Sequence, residues 1–468
     1  MAVKTLRFQR RTQIAAPAET VFAWHARPGA LERLVPPWEH VAVEERAGGI
    51  QDGARVVLRV GAGPIRLRWV AVHSEVVPGR QFCDRQDRGP FAYWQHCHRF
   101  EPEGASGSQL VDDVEYALPL GRLGSIVAGG RVRETIERMF AYRHAVTRAD
   151  IEAHAARERL IPMHVVVSGS RGLVGSALVP FLTTGGHRVT RLVRGMAAAP
   201  DETAWDPARG LVDASRLDGV DAVVHLAGEN IAAGRWTPVR KAEIRRSRVD
   251  GTRNLCEVLA RLPRPPKVLV SASAIGFYGD RGPETLTEAS APGTGFLTDV
   301  CREWEAATEP ASRAGIRVVN LRFGMVLSPR AGALRKLLLP FRLGMGGRLG
   351  DGRQFTSWIA LDDAVGAIHH TLCEESVRGP VNAAAPGPVS NAEFTRTLAR
   401  VLRRPALLPV PAFAARLAFG EMADALLLAG ARVMPVRLQK SGYRFRFPDL
   451  ESALRHLLGR TETRPASK

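Results

Sequence analysis

The sequence predicts an α/β protein whose larger part is a doubly wound parallel sheet, preceded by a separate α+β domain. Two observations predict the parallel sheet: strand-like and helix-like segments alternate after residue 163, and a glycine-rich turn follows the first of these strands. A third observation predicts the preceding domain, since residues 1 to about 155 carry short alternating segments separated by Gly, Pro and acidic turns. A chain of 468 residues is too long for one hydrophobic core, so we expect about two to four folding units.

The first part of the chain is predicted to form an antiparallel sheet closed by one long helix. A strand is expected over 6–14, and after Pro17 a short helix begins at Ala18. Five further segments have the pattern of strands, over 55–60, 65–76, 81–84, 91–100 and 109–118. An amphipathic helix over roughly 131–159 places Ile136, Phe140 and Val146 near one face and ends the domain.

The second part has the βαβ rhythm of a parallel sheet. Its predicted strands cover 165–168, 188–193, 222–226, 267–271 and 317–322. Its predicted helices cover 173–184, 240–262 and 296–313.

A Gly-x-x-Gly-x-x-Gly turn connects the first of these strands to the first helix. Gly169 allows the tight turn, Gly172 lets the backbone approach a pyrophosphate, and Gly175 lets the helix pack on the strand. The helix N-terminus then faces the phosphate charge, as in a Rossmann-type dinucleotide site. The alternative is a structural turn that binds no cofactor. We assign cofactor contacts to this turn and to the ends of two later strands, namely Gly169, Ser170, Arg171, Gly172, Leu173, Val174, Gly175, Leu226, Ala227, Gly228, Ser271 and Ala272.

The end of the second strand predicts which nicotinamide cofactor is preferred. An acidic residue there would bind a free ribose 2′-hydroxyl, but the segment Thr190 to Arg194 contains no acid. Arg194, with Arg191 as a second candidate, can pair with a 2′-phosphate, so NADP(H) is favoured over NAD(H). The alternative is that Arg194 is one more surface arginine in an arginine-rich chain.

Composition limits the other classes of function. The formal charge is +18, but the arginines are scattered and form no long basic tract, so we expect no nucleic-acid partner. The number of cysteines, five, is odd and none lies in a Cys-x-x-Cys pair, which predicts reduced thiols. No apolar segment has the character of a signal peptide or a membrane span, so we expect a soluble, cytoplasmic protein. His96-Cys97-His98 has no carboxylate in the adjacent positions, so we expect no metal site.

Specific segments of the second part resemble a known family. The segments VVVSGSRGLVGSAL, DAVVHLAGENI, SASAIGFYGDRG, LRFGMVLSP and GDGRQFTSWIALDDAV resemble an atypical subgroup of the extended short-chain dehydrogenases/reductases, in their NAD-dependent epimerase branch. The tail that begins LLPVPAFAARLAFGEM resembles the small C-terminal domain of this subgroup, sometimes labelled a cell-division inhibitor. The resemblance implies a Rossmann-type domain over 163–400 and the small domain over 401–460.

The first part resembles a different superfamily. Its order of elements and its helix-opening segment IAAPAETVFAW are similar to the helix-grip fold of the START-like, polyketide-cyclase-like (SRPBCC) proteins. The resemblance implies a ligand-binding domain over 1–158, with an apolar small molecule held between the sheet and the long helix.

The acid–base pair of the short-chain dehydrogenases is missing from this chain. Ordinary members use a Tyr with a Lys four residues later, but none of the five tyrosines has Lys at that position. Such a group contributes about 10²- to 10⁴-fold in rate, so its loss argues against efficient standard chemistry. Ser273 and Tyr278 are our catalytic candidates, with the alternative that the Tyr278 ring closes a loop and its hydroxyl binds a neighbour. Gln354 and Trp358, behind the glycine-rich segment 344–352, are our candidates for substrate contact.

These observations leave three functions open. The first is an NADP(H)-dependent oxidoreductase or epimerase-like enzyme with unusual acid–base chemistry and a small-molecule substrate. The second is a non-catalytic sensor in which NADP(H) changes the surface shown to a protein partner, in cell division as the family label implies. In the third, the first domain carries an apolar molecule to the second.

Overall fold

The computed structural model describes residues 5–62, 65–156 and 162–460. The described residues form two compact units. The first contains the described residues up to 156, and the second contains residues 162–182 and His187–Leu457. Within these ranges, no helix has both the length and the apolar character that crossing a membrane requires.

The first unit is an antiparallel sheet with a long helix. Within the described residues the strand order is β1-β7-β6-β5-β4-β3-β2. The strands are β1 (Leu6–Ile14), β2 (His40–Ala47), β3 (Arg55–Ala62), β4 (Ile65–Val77), β5 (Gln81–Arg88), β6 (Tyr93–Glu103) and β7 (Gly107–Ala117). The helices are α1 (Ala18–Ala26), α2 (Ala30–Leu34) and α3 (Gly121–Ala155).

Two apolar clusters form the interior of this unit. The first, here called the α1 cluster, includes Val21, Trp24, Phe82 and Phe100. The second, here called the aromatic cluster, includes Trp94, Tyr116, Ile136 and Phe140, with Trp69 and Phe91 packed against it. The α3 residues Ile136 and Phe140 thus cover one face of the sheet, which is the arrangement of a START-like domain.

The sequence predicted most of this unit but not all of it. The prediction missed β2, whose outer position in the sheet leaves it almost wholly exposed and without an alternating apolar pattern. Helix α3 begins at Gly121, ahead of the predicted residue 131, because the chain stays helical through Gly124, Gly129 and Gly130 despite their low helix propensity. The helix ends at Ala155, and the predicted end at residue 159 lies outside the described residues.

The prediction of reduced cysteines is wrong for one pair. Cys83 on β5 and Cys97 on β6 lie directly opposite each other and form a disulfide. Cysteine spacing along the chain could not show this, because the pairing depends on the register of the two strands. Cys256, Cys301 and Cys373 form no disulfide within the described residues.

The second unit is a doubly wound parallel sheet. Within the described residues its order is β11-β10-β9-β8-β12-β13-β15-β19, and only the edge pair β10–β11 is antiparallel. The strands are β8 (His164–Ser168), β9 (Arg188–Val193), β10 (Glu202–Asp206), β11 (Leu211–Val212), β12 (Ala222–His225), β13 (Val268–Ala274), β14 (Thr285–Leu286), β15 (Arg317–Phe323), β16 (Met325–Leu327), β17 (Phe355–Thr356), β18 (Trp358–Ala360), β19 (Gly379–Ala383), β20 (Val389–Ser390) and β21 (Arg432–Val433).

The helices of this part of the chain flank the sheet and build its C-terminal segment. They are α4 (Gly175–Thr184), α5 (Pro238–Ala260), α6 (Phe296–Ala306), α7 (Glu309–Arg313), α8 (Gly332–Arg342), α9 (Leu361–Cys373), α10 (Asn391–Leu402), α11 (Ala412–Phe419), α12 (Val436–Lys440) and α13 (Leu450–Leu457). The single helix predicted over 296–313 is two helices, since Pro310 cannot donate the next helical hydrogen bond. Strand β21 pairs in parallel with β14, which places the C-terminal segment within the second unit.

Candidate functional site

The candidate site lies where the strand order of the parallel sheet reverses, between β8 and β12. Ligands of doubly wound sheets bind in the crevice at the carboxyl ends of such strands. Here Ser168 Oγ lies 2.7 Å from His225 Nδ1, and His225 Nε2 lies 3.0 Å from Thr252 Oγ1. This buried network fixes the ends of the two strands beneath the glycine turn. Burial lowers the pKa of His225 to about 4, so the imidazole is neutral near neutral pH.

The glycine turn has the backbone geometry that the sequence predicted. Gly169 has a φ of +68°, and a Cβ there would lie 2.7 Å from the carbonyl carbon of Leu226. A Cβ on Gly175 would lie 2.3 Å from the Gly169 oxygen, so α4 can start this close to the turn only with glycine. Both positions therefore require glycine for steric reasons.

The turn also leaves polar groups without partners. Among the described residues, none accepts a hydrogen bond from the backbone N–H of Arg171, Leu173 or Val174. Ser170 is 6% exposed, and its Oγ has no hydrogen-bond partner. Unsatisfied donors at a helix N-terminus form a favourable environment for a phosphate. These groups therefore fit the pyrophosphate of a dinucleotide.

The arginines near the end of β9 have different partners. Arg191 binds Asp201 with two hydrogen bonds of 2.7 and 2.8 Å, so its guanidinium is already held. Arg194 is 76% exposed and makes one contact of 3.1 Å to Glu229. Arg171 likewise contacts Glu202, at 2.9 Å. An exposed ion pair such as Arg194–Glu229 contributes only about 0–1 kcal/mol to stability, so the Arg194 guanidinium can exchange Glu229 for another partner.

The ends of β12 and β13 form the other side of the crevice. Leu226 and Ala227 are half-buried and Gly228 is exposed. A Cβ on Gly228 would come within 3.5 Å of the Arg248 guanidinium. Sequence reasoning missed Arg248, because it lies on α5, far along the chain from the turn. Ser271 and Ala272 are buried in β13, and their contact with a cofactor stays a prediction.

The two catalytic candidates belong to one buried network. Ser273 Oγ donates to Glu305 Oε1 at 2.7 Å, and Arg322 binds the same carboxylate. Arg322 also donates to the Tyr278 hydroxyl at 2.9 Å, which in turn donates to Asn382 Oδ1 at 2.7 Å. Tyr278 is fully buried, and burial raises the pKa of its hydroxyl. This arrangement agrees with the alternative in which the Tyr278 hydroxyl binds a neighbour, and a catalytic role for Tyr278 stays a prediction.

Phe296, the first residue of α6, lies beside a second pair of titratable side chains, Lys241 and Glu421. Phe296 lies 5.2 Å from Trp236 between ring centroids, and the Lys241 ammonium lies 4.7 Å from the Phe296 centroid. Lys241 Nζ is 2.8 Å from Glu421 Oε1, and both side chains are partly exposed. Sequence reasoning missed Glu421, because only the packing of the C-terminal segment brings it to Lys241.

The substrate predictions fail for one residue and are untested for the other. Trp358 is fully buried in β18 and donates its indole N–H to Gly387, so no part of it is open to a substrate. The prediction is wrong because a position behind a loop does not show which way a side chain faces. Gln354 Nε2 binds the carbonyls of Leu349 and Leu427, and its buried Oε1 has no partner. The glycine-rich segment is held by bridges from Met345 and Leu349 to the C-terminal segment.

The fold and the glycine turn define a Rossmann-type protein of the extended short-chain dehydrogenase/reductase class. Residues 165–384 match the NAD dependent epimerase/dehydratase family, residues 14–140 match the polyketide cyclase/dehydrase and lipid transport family, and residues 410–457 match a domain of unknown function. An epimerase family protein of Mycobacterium tuberculosis is 43% identical over 301 residues, which cover 64% of this chain and 98% of that protein. The chain therefore belongs to the epimerase family.

Solved structures of related proteins, including the following two, are similar to this chain. The nucleoside-diphosphate sugar epimerase from Corynebacterium glutamicum has a TM-score of 0.81 at 36% identity, and the match covers 98% of this chain and 91% of that one. The human epimerase family protein SDR39U1, solved with NADPH, has a TM-score of 0.59 at 35% identity over 63% of this chain and 99% of that one. The match to the Corynebacterium protein covers nearly the whole chain, so it includes both units. The match to SDR39U1 covers a share of the chain similar in size to the second unit.

Proposed function

We propose that this chain binds NADP(H) at the glycine turn, in preference to NAD(H), as an oxidoreductase-like or epimerase-like protein that lacks the Tyr-x-x-x-Lys pair. The observation that carries this proposal is the set of unpartnered donors at the turn, which comprises three backbone N–H groups and the buried Ser170 hydroxyl. A bound dinucleotide would satisfy these groups with its pyrophosphate. The NADPH bound to the human relative is consistent with this proposal.

The preference for NADP(H) rests on Arg194. Its exposed contact with Glu229 is weak, and no acidic residue follows β9 directly to bind a free ribose hydroxyl. A 2′-phosphate would give Arg194 a stronger, doubly charged partner. Arg191 is not part of this proposal, because Asp201 already holds its guanidinium.

Titration calorimetry with NADPH and NADH tests this assignment. Arg194→Ala should weaken NADPH binding by about 10- to 100-fold, the range for losing a charged hydrogen-bond partner, and leave NADH binding nearly unchanged. Arg209→Ala, which removes another exposed arginine of the same unit, is the control and should change neither affinity. An equal loss for NADH would overturn the 2′-phosphate assignment, and no binding of either cofactor to the wild type would overturn the proposal as a whole.

For the enzyme function, we infer that Lys241 and Glu421 carry out the proton transfer. Both are partly exposed beside Phe296, whereas Ser273 and Tyr278 are enclosed by Glu305 and Arg322. The two side chains form an ion pair of 2.8 Å, which places an ammonium and a carboxylate side by side. The burial of Tyr278 also favours the second candidate function, a non-catalytic NADP(H)-dependent sensor that acts through a protein partner.

Isotope transfer separates the enzyme from the sensor. The protein is incubated with a small-molecule cell extract and NADPH carrying deuterium at C4 of the nicotinamide. An enzyme moves deuterium into a metabolite, and Lys241→Met should suppress this transfer while leaving NADPH affinity unchanged. Lys336→Met is the control, since Lys336 donates only to a backbone carbonyl. Deuterium that stays on the cofactor under all conditions favours the sensor.

For the first unit, we propose binding of an apolar small molecule beside the aromatic cluster. The match to the polyketide cyclase and lipid transport family supports this, as do Trp69 and Phe91, which are only partly buried against that cluster. Native mass spectrometry of gently purified protein should show a small-molecule adduct. Phe91→Glu should remove it, whereas Phe413→Glu, at an exposed position of the second unit, should not. A wild type without any adduct would contradict this part of the proposal.

A further inference from the structure

The interior of the first unit contains a group of histidine and aspartate side chains. Asp84 on β5 pairs in register with His96 on β6, and His98 on β6 pairs with Asp112 on β7. Because side chains alternate along strands, these four lie on one face and Cys97 lies on the other. The sequence-based reason for expecting no metal site is therefore wrong, since neighbouring strands supply the carboxylates that the adjacent positions lack.

Three of these residues place donor atoms around one point. Asp84 Oδ2 lies 3.1 Å from His96 Nδ1 and 4.0 Å from His98 Nε2. One donor atom from each of the three residues lies within 4.8 Å of the other two. Ligands at the usual distances from a tetrahedral zinc ion are about 3.3 to 3.5 Å apart, so the observed spacing needs only small shifts to hold an ion.

Asp112 occupies the position of a supporting carboxylate. Its Oδ1 lies 3.0 Å from His96 Nε2 and 2.6 Å from His98 Nδ1, which are the ring nitrogens that face away from Asp84. Its Oδ2 lies 2.7 Å from His144 Nε2. Histidines that bind metals commonly donate their second N–H to such a carboxylate, which orients the ring and fixes its tautomer.

The group is almost fully buried. His96, His98 and Asp112 are each at most 6% exposed, and they lie between the α1 cluster and the aromatic cluster. The His98 Nδ1 atom is buried and, despite its short distance to Asp112, is not aligned for a hydrogen bond. His73 Nδ1, opposite Asp84 in the sheet, is also buried without a partner. Buried polar atoms without partners are unfavourable. A metal ion on His98 Nε2 would fix the tautomer in which Nδ1 carries the hydrogen that faces Asp112.

We propose that Asp84, His96 and His98 bind a divalent transition-metal ion in the first unit, with Asp112 as the positioning residue. Two imidazoles and one carboxylate suit Zn²⁺ and Fe²⁺, and three protein ligands leave a coordination position for water or a small molecule. The Asp84 side chain is 17% exposed, which provides a route by which an ion enters. This inference does not depend on NADP(H) binding, which belongs to the second unit.

Metal content and zinc affinity test the proposal on the full chain. The protein is treated with a chelator, dialysed and titrated with Zn²⁺, and bound metal is counted by plasma mass spectrometry. We expect one tight site that Asp84→Asn and His98→Gln each weaken by at least about tenfold, and that Asp112→Asn weakens by about 10- to 100-fold. Asp87→Asn, on the same strand, and His40→Gln are matched controls at exposed positions and should bind as the wild type does.

Cobalt gives a readout that needs no variant. Co²⁺ bound at Asp84, His96 and His98 should show the visible absorption of a nitrogen and oxygen site and no thiolate charge-transfer band. Such a band would instead assign the ion to Glu75, Cys83 and Cys97, which come together on the other face of the sheet when reduced. The proposal is overturned by that band, by a wild type that retains no zinc or cobalt, or by a folded Asp84→Asn protein with unchanged affinity.

Discussion

Arg322 donates two hydrogen bonds of 2.7 Å to the carboxylate of Glu305 inside the second unit. The Arg322 side chain is 3% exposed and that of Glu305 is 13% exposed. This pair stands between Ser273 on one side and Tyr278 on the other, and it binds both. The Ser273 hydroxyl thus binds a buried ion pair. The Ser273 and Tyr278 side chains are both buried within this network.

Tyr278→Phe should therefore affect stability and leave cofactor binding intact. Removal of the hydroxyl leaves the Asn382 oxygen and one Arg322 N–H buried without a partner, which costs about 1–3 kcal/mol. Urea unfolding and NADPH calorimetry measure the two effects. Tyr93→Phe is the control, because its hydroxyl binds the partly exposed Gln95 and its loss should cost less. Loss of turnover at unchanged stability would show that Tyr278 is catalytic after all.

A methyl group at Gly175 should disrupt the cofactor site. The added Cβ would lie 2.3 Å from the Gly169 oxygen, so either the turn or the start of α4 must move. We expect Gly175→Ala to weaken NADPH binding by at least about tenfold, since displaced N–H groups no longer meet the pyrophosphate. Calorimetry compares this variant with Gly251→Ala, where the new Cβ would meet only Pro207 at 3.5 Å. Gly251 lies within α5, so its replacement should be neutral or stabilising, by up to about 1 kcal/mol. Equal NADPH affinity in both variants would contradict the assigned role of the turn.

The sequence predicted the elements that carry a strong local pattern. The prediction placed β8, β9 and the glycine turn within one or two residues of their observed positions. Burial on both faces restricts the residue types of the strands, and positive φ restricts those of the turn. Strands β10 and β11 were missed, because β10 is mostly buried but includes the polar residues Glu202 and Thr203, and the edge strand β11 has only two residues.

The contacts of the candidate site depend on long-range packing and were less predictable. Glu305, Arg322 and Asn382 come from α6, β15 and β19, and nothing in their spacing shows that they meet at Tyr278. The same holds for Asp84 and Asp112, which reach His96 only through strand register. Residue types alone thus indicated dinucleotide binding. The burial and the hydrogen-bond partners of each candidate side chain could be determined only from the fold.

His225 should resist protonation down to acidic pH. Burial lowers its pKa to about 4, from 6.5 for a free imidazole, so the folded state binds this proton less readily than the unfolded chain. The neutral ring therefore contributes full stability above pH 6.5, and this contribution is lost as pH falls from 6.5 towards 4. NMR of protein labelled with ¹³C at histidine Cε1 measures the titration, and a His225→Gln spectrum assigns the signal. A His225 signal that titrates near pH 6.5 in the folded protein would contradict this prediction.

The bond between Cys83 and Cys97 should be detected by counting thiols in denatured protein. Five cysteines less the two in the disulfide leave three, so alkylation without reductant should modify Cys256, Cys301 and Cys373 only. Reduction before alkylation should raise the number to five. Burial raises the pKa of the Cys256 and Cys301 thiols to about 12, so these remain protonated and unreactive in the folded protein at neutral pH. Modification of all five cysteines without reductant would show that the pair is reduced.

The same bond should stabilise the first unit. It links positions 14 residues apart, and closing a loop of this length restricts the unfolded chain by about 3 kcal/mol in the chain-entropy account. Urea unfolding followed by the fluorescence of Trp94 and its neighbours should therefore show a lower midpoint after reduction. The double variant Cys83→Ser with Cys97→Ser should reproduce that shift and make the protein insensitive to reductant. Because both sulfurs lie on the face of the sheet opposite His96 and His98, the variant should also keep its zinc site. Loss of zinc together with the thiols would instead assign the metal to the cysteine face.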